Sequence, residues 1–260
     1  MELELAGKTA LVTGSSRGIG RGIALALAEE GARLMLAGRD HAALDEVAGE
    51  IRKRGGEVRS HAGDLREPAE AVRLVAAVKQ HYQRLDILVS NAGATKRGDF
   101  FTLSEEDWQD GFALKFFAHV RLARAAWPLL KASQGSLLTI AGVGGRTPTA
   151  DFAIGSSVNA SCLAFTKALA DIGKRDGVQV NAVNPGSVET ERFARRLTAL
   201  MAATGLDEAA ARERYRQGHG ITRIGLPTDI AGLAAFVVSA RGRWLHGAVI
   251  DMDGGQTMTL

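Results

Sequence analysis

Residues Val12-Thr13-Gly14-Ser15-Ser16-Arg17-Gly18-Ile19-Gly20 constrain this chain more than any other stretch. The apolar run from Lys8 to Val12 has the pattern of a buried strand. The turn leads at once into apolar residues at helical spacing, Ile19, Ile23 and Leu27. Strand, glycine-rich turn and helix in that order give each glycine a task. Gly14 permits a tight turn, Gly18 lets the backbone approach a pyrophosphate, and Gly20 lets the helix pack closely on the strand. The start of the helix then presents unpaired N–H groups and a partial positive charge to an anion.

Strand and helix patterns alternate over the remaining length. β-rich runs occur at Ala32–Ala37, Glu57–Ala62, Leu85–Ser90, Gly135–Ile140, Val178–Val183 and Ala248–Ile250. Asp40 is placed to cap a helix carrying Leu44, Val47 and Ile51 that Gly55-Gly56 closes. Ser104 with Asp107 has the form of a capping box, and the helix it starts runs toward Lys131, where Pro128 is expected to bend or end it. Alternation of this kind over 260 residues predicts one α/β domain, a Rossmann-type, doubly wound parallel sheet of about seven strands with helices on both faces. Only Glu189 to Gly220 breaks the alternation. It is helical, rich in Ala and Arg, interrupted at Thr204-Gly205, and placed before the last strand, where a substrate lid is expected.

The net charge of +3, with basic and acidic residues interleaved, gives no reason to expect a nucleic-acid partner. No apolar run is long enough to span a bilayer. The single cysteine, Cys162, precludes an internal disulfide and suits a reducing cytoplasm. Its apolar neighbours predict a buried structural thiol. The acidic start Met1-Glu2-Leu3-Glu4 does not suit a presequence. No metal site is expected.

Several motifs together resemble the short-chain dehydrogenase/reductase family over essentially the whole chain. Thr13-Gly14 through Gly20 resembles its TGxxxGxG turn, and Asp64-Leu65 the pair that holds the adenine. Asn91-Ala92-Gly93 resembles its NAG motif, Asn184-Pro185-Gly186 with Thr190 the segment at the nicotinamide end, and Asp253-Gly254-Gly255 its C-terminal signature. The resemblance implies a nicotinamide dinucleotide touched by Gly14, Ser16, Arg17, Gly18, Ile19, Gly20, Arg39, Asp64, Leu65, Asn91, Ala92, Gly93, Pro185, Gly186, Val188 and Thr190. It also implies a small-molecule substrate and a homodimer or homotetramer built on the regions after Ser104 and after Phe152. Where an NAD site carries an acidic residue after the second strand, this chain has Gly38 followed by Arg39, with Arg17 in the first turn. Two guanidiniums there suit a 2′-phosphate, so NADP(H) is the expected cofactor.

The family's proton-transfer residues are missing. Aligned on Phe165-Thr166-Lys167-Ala168-Leu169-Ala170, the usual Tyr is Gly155 and the usual Lys is Asn159. The usual Ser falls at Ala141-Gly142, and the usual Asn is Lys115. Asn and Lys thus stand in exchanged places, on helices that face each other in the family fold. Lys115, oriented by Asn159, is the expected catalytic amine, and partial burial would bring its pKa toward neutrality. Asp151, Arg146, Thr147, Ser156, Ser157, His119 and Tyr215 are further polar candidates, whereas Tyr82 falls far from the site. The lid arginines, Arg192, Arg195, Arg196, Arg212, Arg214 and Arg216, offer contacts for an anionic substrate. Three functions fit this pattern. One is an NADP(H)-dependent oxidoreductase with rebuilt proton transfer. The others are a silent dinucleotide-binding protein and a hydratase, isomerase or lyase on the same fold.

Overall fold

The computed structural model describes residues 2–258. Seven parallel strands form one sheet: β1 (Thr9–Thr13), β2 (Arg33–Gly38), β3 (Val58–Ala62), β4 (Ile87–Ser90), β5 (Ser136–Ile140), β6 (Gln179–Pro185) and β7 (Val249–Met252), in the order β3-β2-β1-β4-β5-β6-β7. Each run expected to be a strand is one. Alternate residues of a strand feed opposite cores. Ala10 and Val12 of β1 face α1 (Gly18–Glu29), α2 (His41–Lys53) and α9 (Pro227–Val238). Leu11 faces α3 (Glu70–Tyr82), α5 (Ala118–Ser133) and α6 (Ala153–Asp176). With both faces covered, Ala10-Leu11-Val12 of β1 and Ile87-Leu88-Val89 of β4 are apolar without alternation.

The order reverses between β1 and β4, and a crevice opens there at the carboxyl ends of the strands. The expected caps are present. The Asp40 side chain accepts from Ala43 N at 3.1 Å, and Ser104 and Asp107 form a reciprocal box at the start of α4 (Glu105–Phe112). Pro128 does not end its helix, since α5 runs through it to Ser133. The carbonyl it leaves without an N–H partner belongs to Arg124, an exposed residue where water can substitute. Between α4 and α5, residues Ala113–Phe117 form a π-helical turn centred on Lys115. The expected lid region is two helices, α7 (Glu191–Thr204) and α8 (Glu208–Gly218), separated where Gly205 adopts a left-handed φ of 68°. Phe193, Leu197, Ala211 and Tyr215 give this pair a small core of its own. Among the described residues no helix is long and apolar enough to cross a membrane.

Candidate active site

Gly14 and Gly20 take the tight turn and the close packing that their spacing implied. Gly14 has φ 65°, and a Cβ on Gly20 would lie 2.2 Å from the Gly14 carbonyl oxygen, so helix and turn meet at a distance only glycine permits. Gly18 has φ 55°, and a Cβ there would meet the methyl of Thr190, the N-cap of α7, at 3.2 Å. No side chain caps the N-terminus of α1, and no acidic residue occupies its first turn. Its free N–H groups and dipole therefore point into the crevice unopposed, which fits a pyrophosphate.

Across the crevice, Asn91 locks β4 to this turn. Its Nδ2 donates to the carbonyls of Thr13 and Gly14 at 2.9 and 3.3 Å, while the backbone N–H groups of Asn91 and Ala92 donate to Thr13 Oγ1. A cavity of about 750 Å³ runs from this point in both directions. Every expected cofactor residue except Asp64 lines it. The Asp64 carboxylate instead takes a fork of bonds from Arg66, which hold its pKa below the usual carboxylate range, while Gly63 and Leu65 form the wall. Asp64 was expected at the adenine, but its neighbour two positions on decides where the side chain points.

At the end of β2, a Cβ on Gly38 would find only ordinary contacts, Leu44 Cδ2 at 3.5 Å and Ser16 Oγ at 3.6 Å. Packing therefore does not demand glycine there, and the missing side chain leaves room for a ligand group. Arg17 and Arg39 flank the space. Arg17 pairs with Glu191 at 2.7 Å and approaches Asp40 at 3.9 Å; Arg39 lies 4.0 Å from Asp64. These exposed pairs contribute only about 0–1 kcal/mol each, so a phosphate can draw both guanidiniums toward it at little cost.

Lys115 lines the other end of the cavity. Its side chain is 8% exposed, passes under Gly93, where a Cβ would strike its Cδ at 2.8 Å, and donates from Nζ to the Ala141 carbonyl at 2.8 Å. Burial lowers its pKa to about 8, with Arg192 adding to the effect. No carboxylate compensates. The neighbouring Cys162 thiol is pushed up to about 11 by burial and stays neutral; it donates to the Lys115 carbonyl at 3.4 Å. His119 is driven down to about 4 by burial, so it is a neutral ring held by the Ala92 carbonyl at 3.2 Å rather than an acid. Asn159 is 2% exposed and lines the same cavity, and its Oδ1 has no partner. The two exchanged residues meet the same dipeptide, since Lys115 bonds the Ala141 carbonyl and a Cβ on Gly142 would lie 3.2 Å from Asn159 Nδ2.

Gly155 itself does not line the cavity. A Cβ there would fall 2.0 Å from Cζ of Phe152, whose ring occupies the space a side chain at 155 would need. The Arg97 guanidinium covers that ring, 3.8 Å from its centroid, and pairs with Asp151 at 2.6 Å. Thr149 bonds the other Asp151 oxygen at 2.7 Å. Arg146 bonds Asp251 at 2.5 Å, and Thr147 Oγ1 donates back to the Val143 carbonyl at 3.0 Å. Tyr215 lines the cavity, but its hydroxyl is engaged by Ser187 at 2.9 Å and its ring is fixed between Phe193 and His219. Tyr82 is distant, bonded to the Leu34 carbonyl. Sequence reasoning missed Phe152 and Arg97. The available signal was an aromatic residue three positions before the unexpected glycine, within one helical turn of it. Among the described residues there is no group of three or more His, Cys, Asp or Glu side chains placed to hold a metal ion.

A family model described as enoyl-(acyl carrier protein) reductase matches residues 14–257. An uncharacterized oxidoreductase of Mycobacterium tuberculosis is 34% identical over 252 residues, 96% of this chain and 92% of its own length. A trihydroxynaphthalene reductase of Colletotrichum orbiculare is 30% identical, over 98% of this chain and 91% of that one. Among solved structures, L-sorbose reductase from Gluconobacter frateurii, complexed with NADPH and L-sorbose, matches with a TM-score of 0.96 at 31% identity and covers all of both chains.

Proposed function

Because this chain belongs to the short-chain dehydrogenase/reductase family, we propose that it is an NADP(H)-dependent oxidoreductase acting on a small carbonyl or alcohol, with Lys115 holding the transferred proton. The cofactor fits the residues present. The open N-terminus of α1 receives the pyrophosphate, and Arg17 and Arg39 flank the space beside Gly38 for the 2′-phosphate. The unpartnered Oδ1 of Asn159 is an acceptor suited to a ribose hydroxyl or to the Lys115 amine. Bound NADPH supplies the hydride.

The observation that carries the proton assignment is the buried Lys115 amine, with one hydrogen bond to the Ala141 carbonyl, in a cavity that lacks the family's tyrosine. An ammonium has three N–H donors, and only one is used. A pKa of about 8 leaves Lys115 protonated at neutral pH yet able to release its proton, the balance that general acid catalysis needs. The Ala141 carbonyl fixes the head, Gly93 gives the stem its channel, and the π-turn sets the angle at which the side chain leaves its helix. Helices α7 and α8 act as the lid, with Thr190 and Glu191 at its hinge over the glycine turn. The assembly is a homodimer or homotetramer through α4–α5 and α6, and the setting is the cytoplasm.

The test is to measure NADPH and NADH affinity by calorimetry, then to follow NADPH oxidation with a panel of ketones and aldehydes in the wild type and in Lys115→Ala. NADPH is expected to bind more tightly than NADH, with turnover that Lys115→Ala abolishes. Tight NADPH binding with no turnover of any carbonyl would leave a silent binder. Turnover unaffected by Lys115→Ala would remove the amine from the mechanism.

A further inference from the structure

The substrate end of the cavity carries a charge imbalance that the protein does not resolve. Lys115, Arg97, Arg192, Arg195 and Arg196 all line it; of the carboxylates that line the same cavity, Glu191 and Asp40 are turned to Arg17, and Asp151 remains. Asp151 is already committed to Arg97 and Thr149. Arg192 reaches from the lid across the cleft to the Gly93 carbonyl at 2.8 Å, the glycine under which the Lys115 stem passes. Burial lowers the pKa of Arg192, and Arg196, Arg195 and Arg97 lower it further, so these guanidiniums repel one another across a shared space. Among the described residues no carboxylate forms an ion pair with Arg192, Arg195 or Arg196, although other lid arginines are paired, Arg212 with Glu189 and Glu208 and Arg216 with Glu213.

The cofactor's phosphates have their own seats, at the start of α1 and between Arg17 and Arg39. Arg97 and Arg192 lie elsewhere. Arg97 sits on the Phe152 ring, which fills the space beside Gly155, and Arg192 ends at Gly93, next to Lys115. Both therefore mark the place of the substrate. A guanidinium held over an aromatic ring and another anchored to a backbone carbonyl are preorganised forks for an oxyanion.

We propose that the substrate carries a negatively charged group, a carboxylate or a phosphate, held by Arg97 and Arg192 while its carbonyl faces Lys115. This assignment rests on the oxidoreductase reading above.

Malonate, inorganic phosphate and neutral malonamide are titrated by calorimetry into the protein with and without saturating NADP+, using the wild type, Arg97→Met and Arg192→Met. Malonate or phosphate is expected to bind the NADP+ complex while malonamide does not, and the stronger of the two anions identifies the group. Each Met variant is expected to weaken that anion about 10- to 100-fold, the value of a charge-assisted hydrogen bond. NADPH affinity should stay unchanged, which also reports that the variants are folded. Malonate and phosphate binding no better than malonamide, or unaffected by both substitutions, would overturn the inference. So would a loss of NADPH affinity in Arg192→Met, which would assign that guanidinium to the cofactor. Failure of the wild type to bind NADPH would instead remove the oxidoreductase reading, and anion binding to the nucleotide-free protein would still report on the arginines.

Discussion

Replacing Lys115 with methionine separates its electrostatic cost from its chemistry. In the unfolded chain this amine has its ordinary pKa of 10.5, and in the fold burial brings it to about 8. A lowered pKa in the native state means that folding disfavours the proton. Below pH 8 the native protein carries the full penalty of a buried ammonium. Between pH 8 and 10.5 the native amine is neutral while the unfolded one is still charged, so stability rises with pH over that window. Two and a half pKa units at ~1.4 kcal/mol each make the full effect ~3.5 kcal/mol, of which ~3 kcal/mol is realised between pH 7 and pH 10.5. Methionine has a similar length and no charge. Any fixed change, such as the Ala141 carbonyl losing its donor, offsets the variant equally at every pH. The stability of Lys115→Met minus that of the wild type, from denaturant unfolding, should therefore fall by ~3 kcal/mol between pH 7 and pH 10.5. A pH-independent difference would refute the reasoning, because it would mean that the amine is solvated in the native state. In the same variant, carbonyl reduction should drop by on the order of 10²–10⁴, and the decline of wild-type kcat/KM above pH 8 should vanish with it.

Arg17→Ala and Arg39→Ala should each weaken NADPH binding about tenfold and leave NADH unchanged, as expected for one lost charge-assisted contact to the 2′-phosphate. Gly38→Asp, which has room for its side chain, should reverse the preference toward NADH; calorimetry with both nucleotides checks all three. Gly155→Tyr should not restore the family's usual chemistry and should lower the thermal midpoint, because the Phe152 ring stands 2.0 Å from the new Cβ; Phe152→Ala in the same chain should recover part of the loss. Tyr215→Phe should change turnover little, since its hydroxyl is spent on Ser187; a fall of on the order of 100-fold would make Tyr215 the proton donor instead.

The order of strands and helices, both N-terminal caps and the positions of the three turn glycines were legible in the sequence because each rests on local chemistry. Periodicity fixes which residues are apolar on a given face, Asp40 and Ser104 bond backbone groups within three residues, and Gly20 is glycine because Gly14 is six positions away on the same turn. Pro128 shows the limit of local rules. Its penalty depends on whether the Arg124 carbonyl is wet, and that is a property of the assembled surface. The π-turn at Lys115 was not anticipated from the sequence either.

The sequence alone determined the family and the alternation of strands and helices, because these follow from residue identity at fixed spacings along the chain. Only the tertiary structure decided what surrounds Lys115 and Gly155. A buried amine's pKa depends on what surrounds it, here first its burial and then Cys162 of α6 and the Arg192 guanidinium of α7, which come from distant parts of the chain. The same is true of Phe152 closing the gap at Gly155 and of Arg97 covering it, contacts made when separate segments come to share one space.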